Sequence, residues 1–98
     1  EPISAYPAVL QDLAVVVDDD VASAEVQDLI ARTGGFLLKD VRLFDVYRGD
    51  PVPAGKKSLA YALTFQAPDK TLRDVVVAKQ VKRIAGRLRK ELGAELRS

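Results

Sequence analysis

Ser58-Leu59-Ala60-Tyr61-Ala62-Leu63-Thr64-Phe65-Gln66 is the stretch that decides the fold. Side chains alternate between the two faces of a strand, so Leu59, Tyr61, Leu63 and Phe65 share one face while Ser58, Ala60, Ala62, Thr64 and Gln66 share the other. A bulky apolar face backed by small and polar residues describes a sheet buried on one side only, which goes with antiparallel pairing. The bulky side then needs a layer of helices to cover it.

Both flanks supply such helices. Downstream, Leu72, Val76, Val77, Val81, Ile84, Leu88 and Leu92 form a helical stripe. Thr71 with Asp74 gives a capping-box-like start, and Gly93 ends the helix after about 21 residues, some 30 Å at 1.5 Å rise each. Gly86 inside that stripe costs on the order of 1 kcal/mol relative to Ala, which marks either a close helix contact or nothing functional. Upstream, Val26, Leu29 and Ile30 have i, i+3, i+4 spacing in a short helix near residues 22–33, with Asp20 or Ser23 as N-cap and Gly34-Gly35 as its stop.

Two further strands flank the shorter helix. Val9 to Val17 is dense in Val and Leu, with Leu13, Val15 and Val17 on one face, and it stops at Asp18-Asp19-Asp20. Leu37 to Arg48 is also strand-like, but Leu43 lies on one parity and Phe44 and Val46 on the other, so alternation alone does not say which side is buried. Residues 49–57, rich in Pro and Gly, are too long for a tight turn and read as a flexible loop between antiparallel neighbours. The tail Ala94-Glu95-Leu96-Arg97 is long enough for one short last strand.

The order is therefore β-α-β-β-α-β, an α+β, ferredoxin-like split βαβ arrangement: a four-stranded antiparallel sheet with both helices on one face. The facing periodicities predict Leu13, Val15, Phe44, Val46, Tyr61, Leu63 and Phe65 packed beneath Leu29, Ile30, Val77, Val81, Ile84 and Leu88. The other face stays open and carries Asp12, Ala14, Asp45, Tyr47, Ser58, Ala60 and Ala62. Small side chains with one aromatic ring and carboxylates make a floor for a flat ligand such as a nucleobase; the competing reading is a solvated sheet face with a half-exposed tyrosine.

Composition narrows the chemistry. With 98 residues, 48% apolar and 30% charged, the chain amounts to one domain, burying about two-thirds of its unfolded surface, with little left for a deep catalytic cavity. It has no His, Cys, Met or Trp, which removes thiol chemistry, Ser-His triads and the commonest metal ligands, so no catalytic or metal-binding residue is assigned. No 18-residue apolar stretch or leader-like segment occurs, so the expectation is a soluble, cytoplasmic domain with no membrane partner. The opening Glu1-Pro2-Ile3, without an initiator Met, reads as the start of a single domain, residues 1–98, excised from a longer chain.

Charge is sorted along the chain. Residues 1–50 hold 4 Lys/Arg against 10 Asp/Glu, a net −6, whereas residues 51–98 hold 11 against 4, a net +7. The cations gather at Lys56-Lys57 and along Lys79, Lys82, Arg83, Arg87, Arg89 and Lys90. A basic stripe suits phosphate contact, although charged residues on an amphipathic helix are more often simply its wet face.

The chain resembles the C-terminal ferredoxin-fold anticodon-binding domain of the β subunit of bacterial-type phenylalanyl-tRNA synthetase. The likeness runs from about residue 6 to residue 97. It is carried by Tyr6-Pro7, Asp12-Leu13-Ala14, Phe44-Asp45-Val46-Tyr47-Arg48-Gly49, Gly55-Lys56-Lys57-Ser58-Leu59-Ala60, Thr71-Leu72 and Leu92-Gly93-Ala94-Glu95-Leu96-Arg97. The Phe-Asp-Val-Tyr strand followed by Gly-Lys-Lys-Ser, in that order and spacing, is the strongest of these signals. Gln11 departs from the family pattern, which usually has Arg there.

The resemblance implies a tRNA anticodon received on the open sheet face. Tyr47 would stack under the first anticodon base, a guanine, and Asp45 would accept from its Watson-Crick edge, with Ser58 and Ala14 lining the same site. The chemistry is consistent: a carboxylate takes the guanine N1–H and N2–H₂ donors as a charge-assisted pair, and adenine lacks that pair. The rival for Asp45 is an exposed carboxylate paired with a nearby Lys or Arg. Lys56 and Lys57 are candidate phosphate contacts or simply solvated loop lysines. The resemblance also implies that aminoacylation, with ATP, magnesium and phenylalanine, belongs to a partner α subunit in an α/β hetero-oligomer, leaving this domain non-catalytic and without a cofactor of its own. Alternatives are a ferredoxin-like small-ligand or regulatory module and a sequence-tolerant RNA-binding domain of the RRM type. No Gly-rich turn between Val17 and Val26 favours the former, and Ala60-Tyr61-Ala62 lacks the aromatic segment the latter uses.

Overall fold

In the computed structural model, which describes residues 6–97, Val9–Asp18 (β1) pairs antiparallel with Lys56–Phe65 (β3) over its full length, from Val9 opposite Phe65 to Asp18 opposite Lys56. Leu38–Tyr47 (β2) lies on the far side of β3, and the two-residue Glu95–Leu96 (β4) lies on the far side of β1. The sheet order β2-β3-β1-β4, with helices Ser23–Gly34 (α1) and Asp74–Leu92 (α2) as the two crossovers, is the ferredoxin-like α+β arrangement. The opening Glu1-Pro2-Ile3 lies outside the described residues.

The faces of β1 and β3 are those expected from alternation. Leu13, Val15, Val17, Leu59, Tyr61, Leu63 and Phe65 form one buried cluster with Val26, Leu29 and Ile30 of α1 and Val77, Ile84 and Leu88 of α2. Val81 joins it only at the margin. Tyr61 places its ring in this core and keeps its hydroxyl satisfied by donating to the Ser23 carbonyl oxygen, 2.8 Å away at the start of α1.

On β2 the predicted core needs correction. Phe44 and Val46 are exposed, Phe44 at 53%, while Val41 and Leu43 pack against the core instead. For Phe44 a β-bulge is the cause, whereas Val46 stands opposite Leu59 on the helix side and is 43% exposed there. Leu43 stands opposite Tyr61 and Asp45 opposite Ala60, so Phe44 is the extra residue and has no cross-strand partner. One inserted residue switches the parity of everything beyond it. Before the bulge the odd positions Val41 and Leu43 face the helices; after it the odd positions Asp45 and Tyr47 face the open side.

The helix starts also differ from expectation. The N-caps are Ala22 and Arg73, neither with a capping side chain, rather than Asp20, Ser23 or Thr71. A turn from Asp18 to Val21, closed by a 3.0 Å backbone hydrogen bond, postpones α1 until the chain has cleared the sheet. The stops agree with expectation: Gly93 is left-handed, and its N–H donates to Arg89 and Leu88 carbonyls, closing α2. At Gly34 close approach matters, since a Cβ there would collide with the Leu38 side chain. Gly86 faces open space, so it marks no close helix contact.

Candidate nucleic-acid interface

Cross-strand register arranges the open face in rows. Tyr47, Ser58, Val16 and Glu95 stand opposite one another across the four strands, and Asp45, Ala60 and Ala14 form the adjacent row. Arg42, Ala62 and Asp12 follow. Asp45, Tyr47, Ser58 and Ala14 thus occupy two neighbouring rows, about 7 Å apart by the strand repeat. The alanines leave the floor between them low. Gln11 stands opposite Leu63, on the other parity, and so lies off this surface.

Each side chain is positioned by something identifiable. The Tyr47 ring is 40% exposed, and its hydroxyl donates to the Asp50 carbonyl oxygen at 2.7 Å, which fixes the ring's direction. Asp45 is exposed on the same strand, two residues away, and among the described residues its carboxylate makes no ion pair and no side-chain hydrogen bond. Ser58 is only 2% exposed although it belongs to the open face. Arg97 covers it: Nη1 donates to the Ser58 hydroxyl oxygen at 3.1 Å, and the guanidinium carbon lies 5.4 Å from the Tyr47 ring centre. The Arg97 backbone N–H donates to the Ala14 carbonyl oxygen at 2.8 Å, which carries the β1–β4 pairing one residue past Leu96.

Sequence reasoning left Arg97 out of the site, although a signal was available. In the split βαβ order the last strand flanks β1, so a residue just past Leu96 must emerge beside Ala14.

The loop between β2 and β3 is tied down. Val52 is buried, its N–H donates to the Gly49 carbonyl, and the Lys56 N–H donates to the Pro53 carbonyl. Two of the three aspartates that end β1 clasp it: Arg48 Nε donates to Asp19 and Lys56 Nζ to Asp18, both at 2.7 Å. The hydrogen bond from Arg48, with further help from its charge and that of Lys57, holds the Asp19 carboxyl below the usual carboxylate range. Lys56 and Lys57 are therefore not a pair of free loop lysines. Lys57 stands opposite Val17 on the helix side of the sheet and is 8% exposed, because alternation that sends Ser58 to one face sends Lys57 to the other.

The basic stripe of α2 lies on the opposite side of the sheet from these rows. Part of it is self-neutralised, Arg87 with Glu91 and Arg89 with Glu95. No group of three or more carboxylates among the described residues could hold a metal ion, and no described helix is long and apolar enough to cross a membrane.

Residues 4–97 match the family described as ferredoxin-fold anticodon binding domain. The chain belongs to that family. This anticodon-binding domain is 50% identical over 97 residues to the phenylalanine–tRNA ligase β subunit of Lactiplantibacillus plantarum, covering 99% of the chain and 12% of that protein. To the same subunit of Anaeromyxobacter dehalogenans it is 51% identical over 96 residues, 98% of the chain and 12% of the relative. To that of Clostridium tetani it is 46% identical over 92 residues. The domain thus spans about one-eighth of the curated relatives it matches. Its family is one of anticodon binding, and these relatives are β subunits of a ligase.

Proposed function

We propose that this anticodon-binding domain receives the anticodon of a phenylalanine-specific tRNA on its open sheet face, as the recognition module of a phenylalanine–tRNA ligase β subunit. Tyr47 stacks under the first anticodon base, a guanine; Asp45 accepts from its N1–H and N2–H₂; Ala14, Ala60 and Ser58 form the floor and side of the site. The observation that carries this reading is the pairing of Asp45 with Tyr47. An exposed carboxylate that no described cation neutralises stands on the same strand face as an aimed aromatic ring, which supplies stacking and two acceptor oxygens together.

The relatives, β subunits of a phenylalanine–tRNA ligase, support a wider assembly around this domain. In that assembly the ligase reaction, with ATP and magnesium, takes place in a partner α subunit in the cytoplasm, as the resemblance implies, and this domain contributes selection of the tRNA. Of the two lysines considered for the tRNA backbone, Lys56 can reach a phosphate by exchanging Asp18 for it, while Lys57 would have to leave the helix side of the sheet.

The test is the aminoacylation efficiency of the ligase carrying this domain, with normal tRNA and with adenosine in place of the first anticodon guanosine. Asp45→Asn swaps one acceptor oxygen for an NH₂ that faces the guanine donors, so it weakens the normal tRNA selectively and narrows its advantage over the adenosine form. If the Asn variant discriminates the two tRNAs as well as the parent does, Asp45 does not read the base.

A further inference from the structure

Arg97 touches three of the five residues assigned to the base site and has no part in the reading above. Its backbone bonds to Ala14, its Nη1 to Ser58, and its guanidinium leans on Tyr47. Four strands at about 4.8 Å spacing separate the outer backbones by roughly 14 Å, so an arginine from one edge and a tyrosine from the other meet over the middle of the sheet. Among the described residues Arg97 forms no ion pair, and of its five guanidinium donors only the one to Ser58 is used on a side chain. A charged fork with spare donors is therefore held over an aromatic ring, beside an unpaired carboxylate.

Guanine is the base that suits such a pair. Its N1–H and N2–H₂ are donors for a carboxylate, and the adjoining O6 and N7 are acceptors for a bidentate arginine. Adenine places an N6–H₂ donor where guanine has O6, so the guanidinium would meet a donor there. At 5.4 Å from the ring centre the guanidinium is farther than the roughly 3.5–4.0 Å of flush contact, so a base can slide onto Tyr47 as the arginine side chain shifts to the base edge.

We propose that Arg97 is a third guanine-reading residue, which waits on Tyr47 and Ser58 in the free domain and donates to O6 and N7 of the base that Asp45 holds by its donors. This rests on the anticodon reading above. Arg97 sets specificity at the edge of the base that Asp45 does not touch.

The test is a cycle between the arginine and one base atom in the ligase carrying this domain. Aminoacylation efficiency is measured for tRNA bearing guanosine, 7-deazaguanosine or adenosine at the first anticodon position, in the parent, Arg97→Ala and Arg97→Lys enzymes. Thermal melting of each variant reports folding. Arg97→Ala is expected to lower efficiency with guanosine by roughly 5- to 100-fold, the range for one bidentate arginine–guanine pair. Removing N7 is expected to cost the parent several-fold and the Ala variant nothing further; Arg97→Lys, lacking the fork, should also lose sensitivity to N7. Equal N7 sensitivity in parent and Ala variant overturns the proposal. So does unchanged or improved efficiency of the Ala variant with guanosine, which would make Arg97 a guard of the ring. If the parent enzyme itself does not distinguish guanosine from adenosine, the anticodon reading fails first, and the Arg97 proposal with it.

Discussion

The hydroxyl of Tyr47 donates to the backbone carbonyl of Asp50, so the loop between β2 and β3 aims the ring that stands on the open sheet face. Ring and hydroxyl therefore have separable duties. Tyr47→Ala should cost about 1 to 3 kcal/mol of binding to an anticodon stem-loop, the stacking contribution of one base. Tyr47→Phe keeps the ring but frees its direction, and should lose less than the Ala variant while remaining measurably weaker than the parent. Titration calorimetry checks both. Equal affinity of the Phe variant and the parent would show that the bond to Asp50 does not orient the ring for binding.

The bulge at Phe44 makes a contrast in stability. Leu63→Ala removes a fully buried side chain and should cost about 2 to 5 kcal/mol. Phe44→Ala, at an exposed position without a cross-strand partner, should cost less than about 1 kcal/mol, well under the ~3 to 5 kcal/mol of a core phenylalanine. Urea denaturation distinguishes the two.

Gly86 offers a stabilising change. It lies in the interior of α2, and a Cβ there would meet nothing within 4 Å. Gly86→Ala should raise stability by about 0.5 to 1 kcal/mol through helix propensity and a less flexible unfolded chain. An unchanged or lowered melting temperature would indicate a contact at that surface.

Burial in the core pushes the Tyr61 phenol up to about 12 from an ordinary value of 10.0. The folded state holds that proton more tightly than the unfolded chain does. Its contribution is fully present below pH 10.0 and is lost as pH rises from there towards about 12. Tyr61→Phe should cost about 1 kcal/mol near neutrality through the lost bond to the Ser23 carbonyl, and should flatten the alkaline decline in that window. Chemical denaturation at a series of pH values reads both effects.

Much of the architecture was legible because it rests on local periodicity. The two-residue alternation of β3 named its buried face, the helical spacing of Val77, Ile84 and Leu88 named the side of α2 that meets it, and Gly93 marked where α2 stops. The low floor of alanines followed from the same alternation. Capping was less legible: side-chain caps are a preference rather than a requirement, and the turn after β1 moved the helix start to Ala22.

By itself, then, the sequence determined the order of elements, the buried faces of β1 and β3, and the open face of those two strands to which Ala14, Ala60 and Ala62 belong, since each depends on residues a few positions apart. Tertiary structure decided the rest. The bulge that lets Leu43 face the core while Asp45 and Tyr47 face outward depends on how β2 docks along β3, because either parity of β2 carries apolar residues. The clasp of Asp18 and Asp19 on Lys56 and Arg48 joins positions 38 and 29 residues apart. Arg97 reaches Ser58 across 39 residues of chain, and only the pairing of β4 beside β1 brings it over Tyr47. Such contacts carry no periodic signature, because their geometry arises only when the sheet has closed.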